Sequence, residues 1–376
     1  MLDQKIVFEE LTRNHVDFYV GVPDSYLNGF CGYAQNVFPE RIITAANEGN
    51  AIGIAAGHFF ATGDIPLVYM QNSGIGNALN PLVSLADKDV YAVPMLLLVG
   101  WRGQGNSEPK HPQHKLQGKI TPDLFDLMNI PYAVLKDDNE DFKRVLAYGL
   151  ERCKRERIPF ALISPKGVMA GPKDNSPDGH YPMSREEAMA VVLDTLPLDT
   201  IYSATTGRAT RELFFLREER KEKNDHDFLN VGSMGHASSV AFGIAISKPN
   251  RRVVVFDGDA AAIMHMGALT MTSRYAAPNF MHLVLNNGVH ESVGGHPSAG
   301  QTVDFTKIAE ACGYKTIGKP VTNKEELVDA IKVLCQCGRA SFIDVRIHKG
   351  IRENLPPLDF NHRQAIDSLI EKLNDD

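Results

Sequence analysis

Basic charge, cysteine and long apolar runs are all scarce in this sequence, and each shortage removes a class of protein. Thirty-nine Lys and Arg stand against 46 Asp and Glu, a formal charge of −7 over 376 residues. A broad surface for nucleic acid or acidic membrane is therefore excluded, and any anionic ligand must be held locally. The five cysteines, Cys31, Cys153, Cys312, Cys335 and Cys337, are too few and too scattered for a disulfide framework, which points to a reducing compartment. Cys335 and Cys337 have no second pair nearby to complete a zinc site. The longest apolar run, "VPMLLLVGW", falls far short of the roughly 20 residues a membrane span needs. The first 25 residues read as an amphipathic helix followed by a strand, without a signal-peptide pattern. These absences predict a cytoplasmic protein with no nucleic-acid and no membrane partner, and no short repeat is visible.

What is present is the composition of a globular chain, 43% apolar and 23% charged, long enough for two domains. In the first half "VDFYVGVP", "RIITAA", "PLVYMQ", "PMLLLVG", "YAVL" and "PFALISP" read as buried strands, with periodic helical segments such as 48–62, 77–87 and 139–157 between them. The same rhythm restarts with a helix at 184–195 and the strands "TIYSATTG", "FLNVGSMG", "RRVVVFDGD", "FMHLVLNN" and "ASFIDVRI". Between the halves, 171–183 ("GPKDNSPDGHYPM") holds three Pro and two Gly and reads as a linker. The expected fold is α/β, two tandem doubly wound parallel-sheet domains over 1–170 and 184–376.

Two features carry chemistry. Glu48 lies in "TAANEGNAIGIAAGHFFATG", at the start of a helix with no polar face. It reads as a first-turn acid after an Asn47 cap, favoured by the helix dipole. A helix apolar all round is expected to be buried all round, and a carboxylate at its buried end needs a partner. The second feature is "VVVFDGDAAAIMHMGALTMTSRYAAPNFMHLVLNNGVHESVGGHPS". A strand ends at Gly258-Asp259, a helix of about 15 residues is expected, and a second strand ends at Asn286-Asn287-Gly288. Separately, Asp259 reads as a helix cap and 286–288 as an ordinary turn. Together, at the carboxyl edge of one parallel sheet, their oxygens suit Mg²⁺, and the small residues Ala260 and Ala261 open a helix that can receive a diphosphate.

The 253–298 stretch resembles the cofactor motif of thiamine diphosphate-dependent enzymes, a Gly-Asp-Gly separated by about 30 residues from Asn-Asn. Asp259 and Asn286 are 27 residues apart, and Ala260 replaces the second glycine. The resemblance implies that Asp259, Asn286 and the carbonyl of Gly288 hold Mg²⁺, which bridges a diphosphate bound beside Gly258, Ala260 and Ala261. It implies that "ANEGNAIGIAAG" is the helix whose glutamate, Glu48, hydrogen-bonds the aminopyrimidine ring and promotes activation of the thiazolium carbon. In such enzymes that glutamate reaches a cofactor held by another subunit, so a homo-oligomer with the active site at a subunit interface is implied. "VGSMGHASSVAFG" (231–243) is similar to the segment that bends the cofactor, with Met234 as the wedge between Ser233 and Gly235. "SATTGRATREL" (203–213) looks like the preceding loop, with Thr206 and Gly207 near the diphosphate.

The chain resembles the two-domain decarboxylases of this family. Its similarity to those acting on 2-oxo acids with an anionic tail, phosphonate first and sulfonate next, rests on 21–27, 69–87, 94–103, 112–118 and 286–298. The implied substrate is a small anionic 2-oxo acid. Asp24 and His114 match active-site positions that handle protons, Arg102 is positioned by residue type to grip the tail bidentately, and Ser292 lies in the segment facing substrate. His290, His296, Lys115 and Arg208 are further candidates for anion contacts. Two rivals stand beside this reading. A nicotinamide dehydrogenase would use Gly74-x-Gly76, but the third glycine position is Leu79 and the next strand ends without a ribose-binding acid. A non-catalytic regulatory or scaffold protein would account for Ala260.

Overall fold

The computed structural model describes residues 1–106, 111–172, 180–275, 278–350, 352, 355–356, 358 and 360–375. The chain divides into two compact units, Met1–Asp174 with Val293–His296, and Asn175–Ser292 with Pro297–Asp376. Of the stretch 171–183 expected as a linker, 173–179 lies outside the described residues.

The first unit is built on six strands: β1 (Tyr19–Gly21), β2 (Ile42–Thr44), β3 (Leu67–Gln71), β4 (Leu96–Gly100), β5 (Tyr132–Val134) and β6 (Phe160–Ser164). Their order is β2-β1-β3-β4-β6-β5, and every pairing is parallel. Helices α1 (Gln4–Arg13), α2 (Asn28–Val37), α3 (Glu48–Thr62), α4 (Ile75–Ser84), α5 (Pro112–Leu127) and α6 (Asn139–Glu156) connect them. Alternation along β4 shows why the strands read as unbroken apolar runs. Leu96 and Leu98 join one core cluster while Leu97 and Val99 join the other, so both faces of the sheet are covered. Each such side chain contributes about 1.5–3 kcal/mol by leaving water.

Helix α3 starts and stops where local chemistry directs. The Asn47 side chain accepts from Asn50 N–H, and Gly63 closes the helix in the left-handed region at φ 79°. Burial on every side is not met within one chain. Gly53, Ile54, Gly57 and Phe60 of α3 are exposed, as are Leu79 and Val83 of α4. Phe60 makes an edge-on contact with the equally exposed Tyr91.

The second unit repeats the plan. Strands β7 (Ile201–Ala204), β8 (Asp227–Leu229), β9 (Val253–Gly258) and β10 (Phe280–Asn286) are followed by the two-residue strands β11 (Val289–His290) and β12 (His296–Pro297), the latter starting in the segment assigned to the first unit, then β13 (Ser341–Arg346). The five-stranded sheet has the order β13-β10-β9-β7-β8, again all parallel. Helix α7 (Arg185–Thr195) begins with a capping box between Ser184 and Glu187. Helices α8 (Arg208–Glu219) and α9 (Ala237–Ser247) follow. The single helix expected after Asp259 is two, α10 (Asp259–Met264) and α11 (Ala268–Tyr275). His265 leaves helical geometry at φ −132° to stack on His236, and Gly267 weakens continuation. Helices α12 (Phe305–Cys312), α13 (Lys324–Leu334) and α14 (His362–Asn374) complete the unit. Among the described residues no helix is long and apolar enough to cross a membrane.

Candidate functional site

In each unit the candidate residues fall at the carboxyl edge of a parallel sheet, the position from which open α/β sheets bind ligands. In the first unit Asp24 follows β1, Glu48 follows β2 and Arg102 follows β4. Chain order reverses between β1 and β3, and Asp24 sits at that switch.

Asp24 and Arg102 are partners. Arg102 donates to Asp24 Oδ1 from Nε at 2.9 Å and from Nη2 at 2.8 Å. Nη2 also donates to the Ser25 hydroxyl, and the guanidinium lies 4.7 Å from the Tyr26 ring centroid. Asp24 is fully buried, and its Oδ2 accepts from Tyr26 N–H. A side chain on Gly100 would overlap that carboxylate, so glycine there permits the approach. Asn72, which sequence reasoning passed over, clamps the Arg102 peptide. Its Oδ1 accepts from Arg102 N–H at 3.2 Å and its Nδ2 donates to Arg102 O at 3.0 Å. His114 is buried on α5, and its backbone lies against Gly103.

Glu48 occupies the first turn of α3, only 5% exposed. Asn77 Nδ2 donates to its Oε2 at 2.7 Å, and Gly74 leaves room for the carboxyl. Burial pushes the Glu48 carboxyl above its ordinary range, while the Asn77 hydrogen bond pulls the other way. Burial thereby biases Glu48 toward its protonated form.

In the second unit the predicted ligands converge on one turn, Ser298–Gly300. Ser298 donates its N–H to Gly288 O at 2.9 Å and its hydroxyl to Asp259 Oδ2. Asn286 Nδ2 donates to Gly300 O at 2.8 Å. A Cβ on Gly300 would lie 2.7 Å from Asn286 Oδ1 and from Asp259 Cβ, so the amide oxygen and the carboxylate border one small space. Asn286 Oδ1 is buried and has no hydrogen-bond partner among the described residues. An orphaned amide oxygen beside a buried carboxylate fits a hard cation. Burial raises Asp259 to about 6, opposed by the Ser298 hydrogen bond. No group of three or more His, Cys, Asp and Glu suited to a metal occurs among the described residues. Asp259, Asn286 and Gly288 could offer one carboxylate, one amide and one carbonyl oxygen.

The remaining candidates lie on other turns. Ser233 and Gly235 both adopt left-handed backbone (φ 48° and 83°), presenting half-buried Met234 on a tight turn. A Cβ on Gly235 would lie 3.0 Å from Ala261 O and 3.3 Å from Met264 Cβ, so the turn rests on α10, whose first residues are Asp259, Ala260 and Ala261. Gly258 caps that helix. Thr206 and Gly207 precede α8, and Gly207 at φ 102°, ψ −120° adopts a backbone only glycine takes readily. A Cβ there would lie 3.3 Å from Ser292 Cβ, which brings exposed Ser292 beside it. The residue before Ser292 is held by partners distant in sequence. Glu291 is buried between the Arg185 guanidinium and Gly350 N–H, and Arg185 also binds Glu212 at 3.0 Å. His296, offered for anion contacts, has its ring nitrogens against Gln35 and Asn28.

Residues 4–127 match the N-terminal TPP binding domain of thiamine pyrophosphate enzymes, and 206–345 match their C-terminal TPP binding domain. The chain is 32% identical to a phosphonopyruvate decarboxylase of Streptomyces viridochromogenes, over 92% of this chain and 88% of that one. It is 33% identical to a phosphonopyruvate decarboxylase of Streptomyces hygroscopicus, over 84% and 80% respectively. A sulfopyruvate decarboxylase of Methanosarcina acetivorans is 26% identical over 98% and 96%.

Proposed function

The chain belongs to the thiamine pyrophosphate enzymes and is a decarboxylase dependent on that cofactor, and from this premise we propose that its substrate is 3-phosphonopyruvate, converted to phosphonoacetaldehyde and carbon dioxide. The observation that carries the proposal is similarity, over most of both chains, to two relatives named for that reaction. The sulfonate analogue is the alternative, favoured by the more distant sulfopyruvate relative. Membership of the family removes the dehydrogenase reading of Gly74-x-Gly76.

When bound, thiamine diphosphate supplies the electron sink that accepts the pair released as carbon dioxide leaves. The residues of this chain would bind, orient and move protons around it. In this reading the first unit is the pyrimidine-binding type and the second the diphosphate-binding type. Glu48, oriented by Asn77, holds a proton against the aminopyrimidine ring. Asp259, the free Oδ1 of Asn286 and the carbonyl of Gly288 hold Mg²⁺. Thr206, Gly207, Gly258, Ala260 and Ala261 border the diphosphate, and the Ser233–Gly235 turn aims Met234. Asp24 and His114 handle the proton delivered to product. Arg102, fixed by Asp24 and Tyr26, grips the phosphonate, with Ser292 contributing a hydroxyl. Preorganised donors of this kind favour a dianionic tail over the methyl of pyruvate. The exposed apolar strip of α3 and α4 supports a homo-oligomer, since a second copy would cover it.

Comparing kcat/KM for phosphonopyruvate, sulfopyruvate and pyruvate with one enzyme preparation tests the substrate. Phosphonopyruvate is expected to lead by about tenfold or more. A lead of that size for either competitor overturns the substrate and leaves the cofactor assignment standing.

A further inference from the structure

Strand β13 carries two buried charged residues at its carboxyl end, Asp344 and Arg346, which the reaction as described does not use. Parallel register sets Val284 against Asp344 and Asn286 against Arg346, so both lie beside the end of β10. The four groups there close a ring. Asn286 Nδ2 donates to Gly300 O at 2.8 Å and faces Asp344 Oδ1 at 3.3 Å. Asp344 Oδ2 accepts from Arg346 Nε at 3.0 Å, and Arg346 Nη1 returns to Gly300 O at 3.2 Å. The guanidinium also reaches Gln301 Oε1 at 2.9 Å and Val303 O at 3.3 Å.

We infer that Asp344 is a positioning residue for metal binding: with Arg346 it fixes the amide of Asn286 so that Oδ1 faces Asp259. The inference rests on the proposal that Asp259 and Asn286 are metal ligands. An asparagine amide can turn end for end at little intrinsic cost, and only its neighbours decide which end faces a ligand. Here both acceptors around Nδ2 are supplied by the ring, and Oδ1 is left without a partner. Arg346 in turn pairs with the Asp344 carboxylate, which buried alone would be costly. Partners that orient metal ligands in this way commonly alter affinity by about 10–100-fold when removed.

Asp344→Asn is the informative change because it keeps shape. Its amide would turn an NH₂ either toward the Arg346 guanidinium or toward Asn286 Nδ2, and both arrangements break the ring. Mn²⁺ affinity would be measured by electron paramagnetic resonance on the full chain with thiamine diphosphate, in wild type, Asp259→Ala and Asp344→Asn. The expected result is near-complete loss in Asp259→Ala and about tenfold weaker binding in Asp344→Asn. Wild-type kcat should return in Asp344→Asn at saturating Mg²⁺, since only metal occupancy is impaired. Wild-type Mn²⁺ affinity in Asp344→Asn, or a kcat that stays low at every Mg²⁺ concentration, overturns the inference while the metal reading stands. Unchanged affinity in Asp259→Ala overturns the metal reading itself. Should Asp344→Asn fail to fold, Arg346→Gln decides the matter on the same scale: weakened Mn²⁺ binding supports the inference and wild-type affinity overturns it.

Discussion

Arg102 and Asp24 share a single carboxylate oxygen: Nε and Nη2 of the arginine both donate to Oδ1, at 2.9 and 2.8 Å. The two candidates therefore act as one unit, because Asp24 is fully buried and Arg102 nearly so. Arg102→Ala should remove a grip on substrate and also strand a buried carboxylate. A loss of about 2–3 kcal/mol in stability is expected, reduced from the fully buried case by the partial access of Arg102. In a double-mutant cycle by urea denaturation, Arg102→Ala with Asp24→Ala should cost clearly less than the sum of the single changes. Additive losses would mean that the pair contributes nothing as a pair. On catalysis, Arg102→Ala should reduce phosphonopyruvate turnover more than pyruvate turnover.

Glu48→Gln keeps the shape that Asn77 binds and removes the titrating group. A carboxyl raised by burial adds stability that is fully present below its unfolded value, near 4.3, and is lost as pH rises through the folded value. Cofactor-free Glu48→Gln should therefore match wild type at acidic pH and melt above it at neutral pH, read by calorimetry. The same variant should bind thiamine diphosphate yet exchange the thiazolium proton slowly by NMR. Parallel melting profiles across pH would show that Glu48 is not strained by burial, and a wild-type exchange rate would remove its role in activation.

Arg185 is shared by two buried carboxylates, Glu212 and Glu291, and burial already pushes Glu212 upward against the pull of that guanidinium. Arg208 also faces Glu291. Replacing Arg185 by Met leaves two carboxylates close together without their shared partner, a loss of about 3–5 kcal/mol. Without the pull of Arg185 the Glu212 carboxyl rises further, so stability should fall further as pH increases and partly recover toward pH 5. Guanidinium denaturation at pH 8 and pH 5.5 measures this, and equal losses at both would contradict it. Because Glu291 precedes Ser292 beside Gly207, KM for phosphonopyruvate should rise as well.

Much of this protein was written locally. Asn47 and Gly63 delimit α3 to the residue, and apolar runs, often ended by Gly or Pro, mark the long strands, because capping and two-sided burial act over a few neighbouring residues. Asp259 and Asn286 were legible for the same reason, each ending a strand in a recognisable turn. Other features depended on which strands become neighbours. Asp24 and Arg102 are 78 positions apart, Asn286 and Asp344 are 58, and Arg185 and Glu291 are 106. Periodicity reports that a strand is buried but not what lies beside it, since strand order is set by crossover connections and by packing across the whole sheet. The break at His265 has the same origin: a helix-compatible sequence gives way where a ring from 29 residues earlier, His236, offers a stacking partner. The exposed face of α3 is the counterpart, an apolar surface that the sequence specifies and that the fold of one chain leaves uncovered.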